Sequence, residues 1–387
     1  MNKPVIHGFA KLATDGVIGL SQVVESMHAR VQGQFFPTPS PDRLGGISGL
    51  VYRGIRGGTR AVAIGLDLAM HALPAQGDKP STQGPGARRL RAVLNGVLGD
   101  HLRASGNALA LPMRFFQADQ ANDLNRADWA TGVPGSELLI AIHGLCMGPH
   151  QWCHRGQDHA ADLAKRFGWA PLYLEYNSGL HISDNGADLA EQMHRLVASW
   201  PVPVTRIVIL AHSMGGLVTR SALAQANAEG LSWPEKVSDV MFLGTPHQGA
   251  PLEAVGHQVD RQMRRIRYLA PFALIGGSRS VGIMDLKRPN LLMQDWQTEA
   301  PRSQVPWPQH IKAGVIAGTL ELPEALATQH WLGDGLVPVR SALGESDEPG
   351  LDLGLDPSRK LVLPKCGHFD LLADMRVQQQ LQTWLEA

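Results

Sequence analysis

Cysteine is scarce in this chain of 387 residues: Cys146, Cys153 and Cys366 are the whole supply. An odd, low count without regular spacing excludes a disulfide-stapled scaffold and fits free thiols, buried or half-buried, in a reducing compartment. A surplus of either charge is missing as well. Lys plus Arg and Asp plus Glu both number 35, so no net field favours nucleic acid or an acidic bilayer. No uncharged run reaches the roughly 18 residues that cross a bilayer. The first residues, Met1 to Gly8, lack the basic segment, apolar core and small-residue cleavage site of a signal peptide. These absences predict a cytoplasmic protein. What is plentiful is glycine and proline, 42 and 26 residues, with 44% hydrophobic and 18% charged residues. That composition suits a loop-rich globular chain rather than a disordered or coiled one.

Two regions differ in rhythm. Residues 1–135 read as a mainly helical N-terminal extension. Leu12, Val17, Leu20, Val24 and Met27 recur at helical spacing between Phe9 and Val31. A second, glycine-laden helix is expected over Ile47–Leu73, buried or tightly packed, and a third from near Ala87 past Leu102. Phe36–Gly46 and Gln76–Gly86 read as loops. The apolar faces with arginines nearby pack on each other or permit peripheral contact with a membrane surface.

From about residue 136 the pattern becomes strand, turn, helix. Strands are expected at Glu137–Ile142, Ala170–Tyr176, Thr205–Leu210, Ser238–Leu243, Ile311–Ile316 and Lys360–Leu363. Helices fall between them at Asp158–Phe167, Gly186–Trp200 and Leu217–Ala228, and a last one at Leu371–Leu385. Such alternation predicts an α/β fold: a mostly parallel central sheet with helices on both faces. The alternation stops between Pro251 and Pro308, where a helix over Leu252–Leu269 is followed by no clear period. An insertion of that length reads as a cap or lid over a site. The expected division is therefore 1–135 as extension and 136–387 as catalytic domain, with the cap at about 251–308.

One stretch carries chemistry. Arg206-Ile207-Val208-Ile209-Leu210 is a buried strand, Ala211-His212-Ser213-Met214-Gly215-Gly216 a tight turn, and a helix follows. A serine at a sharp strand-to-helix turn needs small neighbours, and its hydroxyl then stands at the positive end of the helix. Ser213 is the candidate nucleophile; Ala211 replaces the usual first glycine of Gly-x-Ser-x-Gly and adds only a methyl group. Serine needs a base and an orienting acid. His368, after the last strand in Pro364-Lys365-Cys366-Gly367-His368, is the candidate base. Asp334, between Gly333 and Gly335, is the candidate acid, although an aspartate between glycines is otherwise an ordinary turn residue. The backbone N–H groups of Leu145 and Met214 are candidates for an oxyanion hole, with His143 and Gly144 shaping the first loop. His212 and His247, at strand ends, are assigned to positioning or packing rather than proton transfer. No cofactor and no metal is called for: there is no His- or Cys-rich cluster and no phosphate-binding glycine loop.

These motifs resemble the α/β-hydrolase superfamily, and within it the bacterial lipase/esterase group related to PGAP-type inositol deacylases. The resemblance rests on His143-Gly144-Leu145, Ala211-His212-Ser213-Met214-Gly215-Gly216, Gly244-Thr245-Pro246-His247-Gln248-Gly249, Gly333-Asp334-Gly335-Leu336-Val337-Pro338 and Gly367-His368, in that order. It covers residues 136–387. It implies acyl transfer to water from a small ester or lipid: Ser213 attacks, His368 moves the proton, Asp334 holds the imidazolium. Some such lipases carry calcium near the base. Asp370 matches one ligand position, no partner ligand is evident, and a surface or helix-cap role is the expectation. An amidase, thioesterase or polyester depolymerase would use the same residues. A different class, a membrane-associated or partner-binding protein on a hydrolase scaffold, would put the weight on residues 1–135. Oligomeric state has no signal in the sequence.

Overall fold

The structure is a computed structural model. It describes residues 7–18, 21–22, 25, 50–51, 53–60, 85–117, 120–123, 135–251, 255–256, 280–298, 302–320 and 333–387. The expected loops at 36–46 and most of the helix expected at 252–269 lie outside the described residues. The described residues separate into two compact units, the smaller holding those up to 60 together with 102–110 and the larger holding 85–101 and 111 onward.

In the smaller unit, residues 7–18 and 53–60 are helical. Leu12 is buried, and Glu25 pairs with Arg56. Of the helix expected over 47–73 only 50, 51 and 53–60 are described; these are helical, and Leu50, Val51 and Ile55 are exposed, 67%, 52% and 44%, rather than buried.

The larger unit is organised by an eight-stranded sheet. Its strands are β1 (Arg114–Gln117), β2 (Gln120–Asp123), β3 (Glu137–Ile142), β4 (Ala170–Glu175), β5 (Arg206–His212), β6 (Val237–Leu243), β7 (Lys312–Thr319) and β8 (Lys360–Pro364). They lie in the order β2-β1-β4-β3-β5-β6-β7-β8. From β4 across to β8 every pairing is parallel, while β1 joins β4 and β2 antiparallel. Near-continuous apolar runs such as Leu138-Leu139-Ile140-Ala141-Ile142, all buried, are what a sheet covered on both faces requires. β1 falls within the stretch expected to be helical extension, and its Phe115 is fully buried. Four residues of antiparallel edge are too short for periodicity to reveal.

Helices flank the sheet: α1 (Pro85–Ala104), α2 (His159–Phe167), α3 (Ile182–Ser199), α4 (Met214–Ala228) and α8 (Met375–Glu386). Short helices α5 (Val281–Asp285) and α6 (Gln294–Gln297) belong to the cap insertion between β6 and β7, and α7 (Val339–Ala342) precedes β8. Local chemistry fixes several ends. Asp158 accepts the Ala161 N–H at the start of α2, and Gly168 closes it in the left-handed region at φ 75°. α3 begins four residues earlier than its period suggests, because the Asp285 carboxylate, far away in sequence, accepts the Ile182 N–H at 2.9 Å. α1 lies against the loops that follow β3 and β4: a side chain on Gly96 would overlap Cys146, and one on Gly99 would overlap Asn177. The expected helix from Ala87 thus belongs to the framework of the sheet.

Candidate active site

Parallel strands that end together present their following loops at one edge, and the candidate residues sit there. Ile142 of β3 pairs with Ala211 of β5, His212 with Leu243 of β6, and Leu243 with Ile316 of β7. Ser213 follows at once with φ 55° and ψ −127°, a state rare for a residue with a side chain. Its N–H is held by the Leu243 carbonyl at 2.9 Å. The turn tolerates this only because its neighbours are small. A Cβ on Gly215 would lie 2.6 Å from the His143 carbonyl oxygen, and one on Gly144 would lie 2.8 Å from the Ser213 Cβ. Strand, strained serine and helix have the geometry expected of a nucleophile elbow. The chain has the α/β-hydrolase fold.

Comparison with known proteins finds one family model and several solved structures similar to parts of the chain. Residues 183–300 match the family described as PGAP1-like alpha/beta domain. Among solved structures, Bacillus licheniformis lipase BlEst2 in mature form is similar at 20% identity, covering 64% of this chain and 90% of the lipase, with a TM-score of 0.42. Pyrococcus furiosus esterase Pf2001 is 13% identical over 66% of this chain and 82% of its own, with a TM-score of 0.41. The metagenomic carboxyl esterase MGS0156 is 17% identical over 83% of this chain and 98% of its own, with a TM-score of 0.38. None of the curated proteins matches the chain.

Asp334 and His368 come together although 34 residues separate them. His368 Nδ1 lies 2.6 Å from Asp334 Oδ2. Since an ionised carboxylate only accepts, the hydrogen of this contact sits on Nδ1. The other carboxylate oxygen accepts the N–H groups of Leu336 at 2.9 Å and Val337 at 2.8 Å. The Asp334 carbonyl accepts the His368 N–H at 3.1 Å. Gly333 at φ 53° and Gly335 at φ 92° provide the bends that wrap this turn around the carboxylate. Gly244, also left-handed at φ 58°, leaves the room: a Cβ there would be 3.1 Å from both Asp334 Oδ2 and His368 Nδ1.

The first loop is braced by its own histidine. Burial pushes the His143 imidazole down to about 3, so the ring is neutral, and its Nδ1 lies 2.8 Å from the Gly144 carbonyl oxygen. The ring stacks on Tyr176 at 4.4 Å, and the Tyr176 hydroxyl donates to the His143 carbonyl at 2.7 Å. The Gly144 C=O and the Leu145 N–H belong to one trans peptide and point opposite ways. Holding the carbonyl therefore fixes the direction of the Leu145 amide. Cys146 follows at φ 61°, with its N–H on the Ser178 hydroxyl at 3.0 Å. Met214 is the first residue of α4, whose N–H has no partner within the helix.

Ser213, His368, Leu145 and His212 line a single pocket, together with Met147, Val255, Leu286, Val337 and Phe369. Asp334 is buried against His368, and His143 is buried as well; His143 and Gly144 are outside the lining. His247 stands apart. It is fully buried edge-on to Phe242 at 4.7 Å and is absent from the pocket lining, with both ring nitrogens unpartnered among the described residues. Tyr176 and Ser178 carry no sequence signal as loop braces; Tyr176 reads simply as a strand end. The Asp370 carboxylate accepts the Gly367 N–H at 3.0 Å and pairs with Arg155 at 2.8 Å. Among the described residues no group of His, Cys, Asp and Glu could hold a metal ion. The thiols are all free, Cys146 and Cys366 buried and Cys153 exposed rather than half-buried.

Proposed function

We propose that the protein is a serine hydrolase of carboxylic esters, an esterase or lipase working through an acyl-enzyme. The observation that carries this reading is the 2.6 Å contact between His368 Nδ1 and Asp334 Oδ2, set beside a pocket that His368 shares with a strained Ser213. In the proposed cycle Ser213 Oγ attacks the ester carbonyl and its proton passes to His368 Nε2. The negative charge that grows on the carbonyl oxygen is met by the Leu145 and Met214 N–H groups, dipoles already in place before the reaction. Collapse breaks the C–O bond, and His368 returns its proton to the departing alcohol. Water then attacks the acyl-enzyme with His368 as base, releasing the carboxylic acid and restoring Ser213. Asp334 keeps the imidazole oriented and stabilises its cation throughout. The apolar wall of Met147, Val255, Leu286 and Val337 supports an aliphatic acyl group.

The test is hydrolysis of p-nitrophenyl esters from acetate to palmitate by the wild type and by Ser213→Ala. We expect turnover by the wild type and loss of about 10⁴-fold or more in the variant. Turnover that survives the substitution would exclude the mechanism. Amide and thioester substrates run in parallel decide between the leaving groups that the same residues could serve.

One observation favours a second property, peripheral contact with a membrane. Leu50, Val51 and Ile55 are exposed apolar residues on a helical segment that also exposes Arg53 and Arg60. Among the described residues no helix is long and apolar enough to cross a membrane. Co-sedimentation of the full chain with anionic liposomes, for the wild type and the Leu50→Ser, Val51→Ser, Ile55→Ser variant, tests it. Equal sedimentation would count against it. Deleting residues 1 to about 130 is unsuitable, since that would remove β1 and α1 from the larger unit.

A further inference from the structure

We infer that His212 is a positioning residue whose Nε2–H clamps the backbone of His368, so that the nucleophile elbow itself locates the base. The inference deepens the ester-hydrolase reading and rests on it. His212 is the last residue of β5 and the immediate neighbour of Ser213. Its Nε2 lies 3.1 Å from the carbonyl oxygen of His368, 156 residues away in sequence. A carbonyl oxygen can only accept, so Nε2 carries the hydrogen. The ring is fully buried, and burial together with the neighbouring His368 keeps it far below the ordinary histidine range. It is therefore neutral, in one tautomer, with a bare Nδ1 that has no partner among the described residues.

Three bonds fix residue 368: its N–H to the Asp334 carbonyl, its ring to the Asp334 carboxylate, and its own carbonyl from His212. The first two tie His368 to the acid loop alone. Only the third joins the base loop to the elbow, and the His212 ring lies 4.7 Å from the His368 ring, limiting its swing. Neutrality matters chemically as well. When His368 takes the serine proton it becomes a cation, and a second cation at that distance would oppose the step; a neutral ring does not. The other histidines that bear electrostatically on His212 are His143 and His154, both also pushed down by burial.

The experiment has two arms. In the first, nitrogen-15 NMR of the ring-labelled wild type should show His212 neutral, as the Nε2–H tautomer, from pH 5 to pH 8. A ring that titrates in that range, or one protonated at Nδ1, overturns the clamp. In the second, p-nitrophenyl butyrate turnover is compared for the wild type, His212→Phe and His212→Gln, with thermal unfolding recorded for each. His212→Phe keeps the plane and loses the donor; kcat should fall by about 10²-fold with KM little changed. Glutamine keeps a neutral N–H donor and should restore kcat to within about tenfold of wild type. A phenylalanine variant with wild-type kcat, or a glutamine variant as impaired as phenylalanine, overturns the inference. Should His212→Phe fail to fold, the NMR arm and the glutamine variant still decide. Labelling by diethyl p-nitrophenyl phosphate separates the two readings: a wild type that neither reacts nor turns over esters sinks the hydrolase reading, while the NMR arm tests the clamp regardless.

Discussion

Gly144 and Ser213 touch through space that only a hydrogen atom can occupy: a Cβ on the glycine would sit 2.8 Å from the Cβ of the serine. The loop after β3 and the turn at Ser213 are thus packed at a distance fixed by the absence of a side chain. The same Cβ would also lie 3.3 Å from Nδ1 of His212. Gly144→Ala should therefore push the loop carrying the Leu145 amide outward. We expect kcat/KM on p-nitrophenyl butyrate to fall about 10²-fold, the scale of losing one oxyanion donor, with the unfolding temperature lowered only slightly. Unchanged kcat/KM in a folded variant would remove Leu145 from the proposed mechanism.

At the opposite end of the sheet, Asp239 near the start of β6 joins two cations. Its carboxylate accepts from Arg206 and Arg359, each at 2.9 Å, and is itself buried. Asp239→Asn would leave the inner guanidinium, that of Arg359, without its counter-charge. Arg206 is partly exposed and lies over the Trp169 ring, so its loss weighs less. The expected destabilisation is about 3 kcal/mol by urea unfolding, the low end for breaking a buried pair. Because the site is far from the elbow, kcat of the folded fraction should be unaltered. A fall in kcat at unchanged stability would show that this end of the sheet bears on the site.

Acid should weaken the fold through histidine. His143, His212 and His247 are all held below their ordinary value of 6.5, His143 to about 3, chiefly by burial. Above pH 6.5 both folded and unfolded chains keep these rings neutral, and their contribution is complete. As pH falls below 6.5 the unfolded chain takes up protons that the folded chain refuses, so stability is lost until the folded value is reached. Each such ring adds a slope of about 1.4 kcal/mol per pH unit within that window. Urea midpoints at pH 7, 6 and 5 should drop in step. A midpoint that stays level, or rises, toward pH 5 would show that these rings are not buried neutral.

Some features were open to reading because they depend on neighbours in the chain. The five apolar residues before Ser213 and the small ones after it announce the elbow locally, and β3, β5 and β6 begin and end within a residue or two of where side-chain pattern puts them. Other features depend on contacts that no local pattern encodes. The start of α3 is set by Asp285, β1 finds its place by pairing with β4, and Tyr176 braces the first loop from the end of another strand. For His247 the place at a strand end left positioning and packing both open; its ring is buried against Phe242, outside the pocket lining.

By itself the amino-acid sequence determined the period of each strand and helix, the glycines where no Cβ fits, and which residues carry hydroxyl, imidazole and carboxylate. These are properties of single residues and their chain neighbours, and steric exclusion makes them nearly independent of the rest. Tertiary structure decided which of the 16 histidines meets Asp334. It also decided that His212 is turned to hold His368 while His247 is turned away. Those outcomes hang on strand order and register, which bring residues 34 and 156 positions apart to hydrogen-bonding distance. A bond directed within a few tenths of an ångström has no counterpart in one-dimensional spacing.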